Sequence, residues 1–283
     1  MPPRTTPTQR QKRLGAEIKK LRMAAGMTAE RVAELIGVDR GKISNIEAGV
    51  RNISPERLRA LAAHCGCTDE PYVDALVELG KVPERNWWDE YRKKLSSGLM
   101  DIAELEWNSP RIQTIQTVHI PGLLQTEDYA RSIFDAVLPP LPRLEVELHV
   151  AHRMDRRRVL TREQPITYTG YVHEAALRMR FGGREATKKQ LSALIDASEQ
   201  ANITVRIVPI ESGSFPGAGQ NLLHAEAAVP QLDTVQLDSA HGPEFMHTPE
   251  QLSKYRAHLD WMDEACLSSP ASRDVIHGII REL

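Results

Sequence analysis

The chain has 283 residues, 41% of them hydrophobic and 26% charged, so it is long for one domain and ordinary in composition for a soluble globular protein. No apolar run approaches the roughly 20 residues of a membrane span, and three cysteines do not make a disulfide framework. The net charge of −2 hides an asymmetry: residues 1–65 hold 13 Lys and Arg against 6 Asp and Glu (net +7), the rest 23 against 32 (net −9).

A basic front on an acidic remainder fits a nucleic-acid binder whose larger part stays off the phosphates. Residues 1–10 are polar and proline-rich, with no hydrophobic signal core; they read as a flexible arm, and no signal peptide is expected. Over 11–80 the pattern predicts short helices. Leu14, Ile18 and Leu21 make an apolar stripe on the first, which ends near Gly26. Thr28 stands where an N-cap should, before Val32, Leu35 and Ile36 at helical spacing. Gly37 suits a left-handed C-cap. Asp39 then caps a helix whose apolar positions are Ile43 and Ile46 and whose other face is Arg40, Lys42, Ser44 and Asn45. Two short helices across a glycine turn, with the second free to enter a major groove, make a helix-turn-helix. Ser54-Pro55-Glu56 starts a further helix, carrying Leu58, Leu61 and Ala62.

This segment resembles the DNA-binding domain of the phage-repressor, or Xre-type, family, which implies an all-α lambda-repressor-like head. The resemblance implies a pair between an arginine of the first helix and a glutamate ending the recognition helix, here Arg22 and Glu47. The family's usual glutamine at the start of the second helix is replaced by Ala29. The expected DNA interface is Thr28, Arg40, Gly41, Lys42, Ser44, Asn45, Arg51 and Asn52. Within it, Arg40 and Asn45 match base-reading positions, since arginine pairs with guanine and asparagine with adenine in two-pronged fashion. Lys42, Arg51 and Asn52 flank the helix as phosphate contacts.

Residues 81–86 read as a hinge and 87–283 as a C-terminal α+β domain. A long helix is predicted over 87–107, because Trp88, Tyr91, Leu95, Leu99, Ile102 and Leu105 recur at three or four. Its aromatic residues serve either packing or a ligand cage. Strands are predicted over 112–119, 166–172, 203–209, 221–226 and 233–237. The remaining helices are predicted over 127–137, 144–159, 174–181, 187–200, 249–266 and 271–282. The stretch Pro121-Gly122-Leu123-Leu124-Gln125-Thr126-Glu127-Asp128-Tyr129-Ala130 resembles the signature of an actinobacterial regulator family, the WhiJ-like proteins. Their pattern continues in His173-Glu174-Ala175-Ala176-Leu177-Arg178 and in the Gly182-Gly183 break. Where members show a late "YvE" strand element, this chain reads Val235-Gln236-Leu237-Asp238. The resemblance implies an Xre-type head on a body without an assigned activity, treated as antitoxin-like and often encoded beside a small partner protein.

Chemistry in the body is sparse. His149 and His152 lie three apart near Glu145, whereas the zincin pattern needs a spacing of four. The glycine-rich stretch 213–219 lacks the Gly-Lys-Ser/Thr ending of a phosphate loop, and no nucleophile elbow is present. Arg153, Arg156, Arg157 and Arg158 either grip an acidic partner or flanking DNA, or pair internally with acids such as Glu145, Glu147 and Asp155. Cys65, Cys67 and Cys266 read as reduced structural thiols of a cytoplasmic protein. The expectation is therefore a non-enzymatic, cytoplasmic and nucleoid-associated transcription regulator, without catalytic residues, metal or cofactor. Double-stranded DNA and a second copy in a homodimer are its expected partners, with a nearby-encoded small protein or a small-molecule effector acting on the body. Two dimer seams are expected as candidates: the 88–105 helix, and the C-terminal helices around Leu259, Trp261 and Ile276.

Overall fold

The computed structural model describes residues 7–81, 85–217, 220–239 and 241–283. The chain divides into two units, Met1–Asn86 and Trp87–Leu283.

The first unit is five helices: α1 (Gln9–Ala24), α2 (Ala29–Leu35), α3 (Arg40–Glu47), α4 (Pro55–His64) and α5 (Glu70–Gly80). Side-chain caps start each of them. Thr8 and Gln11 form a reciprocal capping box at α1, and Thr28, Asp39, Ser54 and Asp69 accept from backbone N–H groups of the following first turns. Helix α1 begins two residues inside the stretch expected as an arm, and Arg10 donates to the carbonyls of Glu78 and Leu79; residues 1–6 lie outside the described residues, as do 82–84 of the expected hinge. The core is Ile18, Val32, Ile43, Ile46, Leu58, Leu61 and Leu76, each at most 5% exposed. Two glycines allow α1 to touch the end of α3. A Cβ on Gly15 would stand 2.4 Å from the Glu47 carbonyl oxygen, and one on Gly49, at φ 71°, would stand 2.8 Å from the Gln11 backbone.

The second unit is built on a six-stranded sheet of β1 (Arg111–Gln116), β2 (Thr167–His173), β3 (Ile203–Val208), β4 (Leu222–Ala225), β5 (Thr234–Ser239) and β6 (Gly242–Met246), in the order β3-β2-β1-β4-β5-β6. Strands β1, β2 and β3 pair in parallel; β4, β5 and β6 add on antiparallel. Its helices are α6 (Ser97–Asn108), α7 (Glu127–Asp135), α8 (Arg143–Arg156), α9 (Glu174–Arg178), α10 (Gly183–Ser198), α11 (Pro249–Ala265) and α12 (Ser269–Glu282). The parallel crossovers run through α7–α8 and α9–α10, as parallel neighbours require. Alternate strand residues divide between two cores. Tyr168, Val172, Val205, Ile207 and Leu223 pack with Leu191, Leu194, Ile276 and Ile279. Ile115, Tyr171, Val208, Leu222 and Val235 pack with Leu252, Tyr255, Leu259 and Met262 of α11. The chain is thus an all-α helix-turn-helix unit followed by an α+β unit.

The predicted helix over 87–107 is broken. Trp87–Tyr91 is a 3-10 turn, Lys93 takes φ 71°, and α6 starts only at Ser97. Apolar residues keep a three-to-four spacing through the break because both pieces face one cluster, where Trp88, Tyr91, Met100 and Ala103 are buried together. Gly98 is where this segment meets β6: a Cβ there would sit 2.7 Å from the Pro243 ring. Strand β6, Gly-Pro-Glu-Phe-Met, has too little alternation to be read as a strand, and it forms because β5 offers an open edge. Strand β1 ends at Gln116, short of the expected 119.

Candidate nucleic-acid interface

Helix α3 is fixed from below by Ile43 and Ile46, at 0% and 5% exposure. Residues three and four apart share a helix face, so Arg40, Gly41, Ser44 and Asn45 turn outward, and all four are exposed. The start of the helix is set by Asp39, whose Oδ1 accepts from the Lys42 N–H at 2.8 Å and whose Oδ2 pairs with Lys42 Nζ at 3.0 Å. The Lys42 side chain, then its N–H, hold the Asp39 carboxyl below its usual range. After α3 the chain doubles back: the Asn45 carbonyl accepts from the N–H groups of Val50 and Arg51, at 2.9 and 3.1 Å. That return leaves Arg51 and Asn52 exposed beside the recognition helix. Thr28 is exposed at the start of α2, its hydroxyl engaged as the cap on the Arg31 N–H at 3.1 Å.

Two further contacts hold this surface. Arg22 of α1 reaches Glu47 in two-pronged fashion, Nε to Oε1 at 2.6 Å and Nη2 to Oε2 at 3.0 Å, and donates its Nη1 to the Met27 carbonyl at 2.8 Å. The bond to Glu47 raises the Arg22 pKa despite desolvation. Arg40 Nη1 lies 2.5 Å from Glu30 Oε1 on α2, in an exposed pair. Sequence reasoning missed Glu30 as a site residue. The only signal for it is an acid in the first turn of one helix and a base in the first turn of the next, ten residues on.

The body's sequence candidates do not assemble a reactive centre. His149 faces Glu145 at 3.8 Å, while His152 turns inward between the rings of Trp87 and Tyr91, at 5.5 and 5.0 Å. Among the described residues no three His, Cys, Asp or Glu side chains gather as metal ligands. The arginine run diverges rather than forming a basic face. Arg156 is buried on Glu106, Arg153 binds Gln125 Oε1 at 2.6 Å and covers the Phe134 ring, and Arg158 pairs with Asp155. Of the glycine-rich stretch, 218 and 219 lie outside the described residues; Phe215 stacks with His173 and Trp261. The signature around Pro121 is architectural. Gln125 donates to the Ile120 carbonyl, Thr126 N–H donates to Gln190 Oε1, and Gln190 returns a bond to the Leu124 carbonyl. Both expected dimer seams are largely spent inside the body. Trp88 and Tyr91 lie in their own cluster, and Leu259 and Ile276 lie in the two sheet cores.

A capped two-helix unit with one exposed polar face on a basic module defines a DNA-binding regulator. A helix-turn-helix domain model matches residues 13–76. The chain belongs to the family described as a domain of unknown function (DUF5753), whose model covers residues 99–278. No curated protein and no solved structure matches the chain. No helix among the described residues is long and apolar enough to cross a membrane.

Proposed function

We propose that this chain is a sequence-specific transcription regulator of the WhiJ-like, antitoxin-like group. It reads double-stranded DNA as a cytoplasmic homodimer, and its body takes up a small protein encoded nearby. One observation carries the DNA reading: Arg40, Ser44 and Asn45 are exposed above Ile43 and Ile46, on a module whose first 65 residues carry +7. Arg40 and Asn45 read base edges, with Gly41 allowing close approach. Lys42, Arg51, Asn52, Ser44 and Thr28 contact the backbone on either side. A single recognition helix touches few base pairs, so two heads about one DNA turn apart, roughly 34 Å, are needed for useful specificity. The partner protein is supported by the resemblance to WhiJ-like regulators.

Genome-wide mapping of bound DNA, repeated with the neighbouring small protein deleted, tests this reading. A palindromic motif whose occupancy changes on deletion is expected. Binding without a motif overturns specific readout, and unchanged occupancy overturns the partner. A second reading, in which the body senses a small molecule, is favoured by a polar cavity of about 410 Å³ beside α11.

A further inference from the structure

The turn between α7 and α8 exposes a run of apolar chain. Residues 136–144 read Ala-Val-Leu-Pro-Pro-Leu-Pro-Arg-Leu, with Arg143 the one polar side chain. All of them but Leu141 are exposed, Leu138 at 84% and Leu144 at 73%. Seven large apolar side chains stand exposed among the described residues, and Val137, Leu138 and Leu144 are three of them. Scattered exposed apolar residues are ordinary, whereas a contiguous group marks an interaction site. Pro139, Pro140 and Pro142 have no N–H to donate, so the segment neither extends a helix nor joins the sheet. An ion pair between Arg131 and Glu147 ties α7 to α8 just below this tip. The apolar surface continues down α8, where Leu144, Leu148 and Ala151 recur at four and three on the side away from the buried Val146 and Val150.

The flanking charges say what covers it. Asp135 is the last residue of α7 and Arg143 the first of α8. An acid at a helix C-terminus and a base at a helix N-terminus both oppose the helix dipole. Both are exposed, and neither makes an ion pair or hydrogen bond among the described residues. One unpaired charge of each sign beside one apolar tip is self-complementary: a two-fold axis through the tip brings Arg143 of one copy to Asp135 of the other, twice over. The apolar side chains of the tip offer on the order of 500 Å² per copy, so two copies bury roughly 1,000 Å², the lower bound for a specific interface.

We propose that a second copy of this chain docks here, α7–α8 tip against α7–α8 tip. Leu138 and Leu144 of each copy pack on those of the other, and the Asp135–Arg143 contacts fix the register. This rests on the homodimer reading and names its seam, in place of the two apolar stripes that are spent inside the body.

The test is sedimentation velocity of the full chain over a range of micromolar concentrations. The parent should dimerise reversibly. Leu138→Asp with Leu144→Asp, at exposed positions, should weaken self-association about tenfold or more with an unchanged melting curve. Asp135→Arg and Arg143→Asp should each do the same, because each sets like charges across the axis. Mixing those two single variants should restore the dimer, since one copy then presents two bases to two acids on the other; a loss of fold would not be rescued in this way. A parent dimer that none of these substitutions weakens, or single variants that fail to rescue each other, would overturn the seam, leave this surface to a different protein and keep the homodimer reading. A parent that stays monomeric throughout would overturn both.

Discussion

Arg40 Nη1 and Glu30 Oε1 stand 2.5 Å apart, joining the first turn of the recognition helix to the first turn of the helix before it. Both side chains are mostly exposed, so the pair is worth at most about 1 kcal/mol and yields readily to a guanine edge or a phosphate. It holds Arg40 at the exposed first turn of α3 beside a negative charge, which on the proposed DNA reading would meet the approaching phosphates. Glu30→Gln is therefore expected to tighten binding to operator and random DNA alike. Arg40→Ala and Asn45→Ala should each lose roughly 1–3 kcal/mol on the operator only. Fluorescence anisotropy on both DNAs checks this; equal losses on random DNA would remove either residue from base readout.

Arg51 is exposed beside α3, held there by the turn that returns to the Asn45 carbonyl. A phosphate contact is sequence-blind and releases a counterion. Arg51→Ala should weaken binding to every DNA, and the plot of log affinity against log salt should lose about one unit of slope. An unchanged slope would take Arg51 off the phosphates.

The Arg22–Glu47 pair lies at 14% and 10% side-chain exposure, between a buried ion pair and a surface one. Glu47 also ends α3 where Gly15 brings α1 against its carbonyl. Glu47→Gln leaves the guanidinium poorly solvated, and a loss of up to a few kcal/mol is expected in chemical denaturation of the head. A loss under about 1 kcal/mol would make it a surface pair in energetic terms.

Local rules made the head readable. Each helix carries its own cap and its own apolar period, and the glycines mark the turns, so α2, α3 and α4 are legible from Thr28, Asp39, Gly37 and Ser54. The pairing of Glu30 with Arg40 was not, because it depends on how two helices cross. In the body, strands rich in β-branched residues, β1, β2 and β3, are visible in the sequence. Their parallel order is set by long-range pairing that no short window contains. The 87–107 segment misled for a physical reason: two pieces buried against one cluster mimic a single helical stripe. The cavity beside α11 joins residues from 111 to 263, so no short window of sequence marks it.

Glu106 and Arg156 form the body's most enclosed charge pair, with Nη2 to Oε1 at 2.5 Å, Nε to Oε2 at 2.8 Å and Glu106 fully buried. Burial works against the charge on Arg156, but the charge and hydrogen bond of Glu106, together with the charges of Asp238 and Tyr168, leave its pKa raised. Removing one partner strands the other charge, at about 3–5 kcal/mol. Glu106→Gln should lower the denaturation midpoint of the α+β unit while leaving operator binding at low temperature intact. A midpoint shift worth under about 1 kcal/mol would mean that Arg156 is solvated from elsewhere.

His152 makes the body sensitive to acid. Burial, then the charges of Arg156, Arg153 and His149, lower its pKa from the ordinary 6.5 to about 3, and its Nε2 is buried without a partner. The folded state therefore keeps the ring neutral while the unfolded chain takes up a proton below pH 6.5. The unfolded state binds more protons in that window, so stability rises with pH. The contribution is complete above about pH 6.5 and is lost as pH falls toward 3, at a limiting slope of roughly 1.4 kcal/mol per unit. From neutral pH to pH 5 the loss should approach about 2 kcal/mol. His152→Phe removes the titration and keeps an aromatic ring between Trp87 and Tyr91. Its stability should fall less steeply than the parent's between pH 6.5 and 5, whatever its absolute value. Parallel pH profiles for the two proteins would show that His152 is protonated in the folded state and that its burial does not set the acid limit.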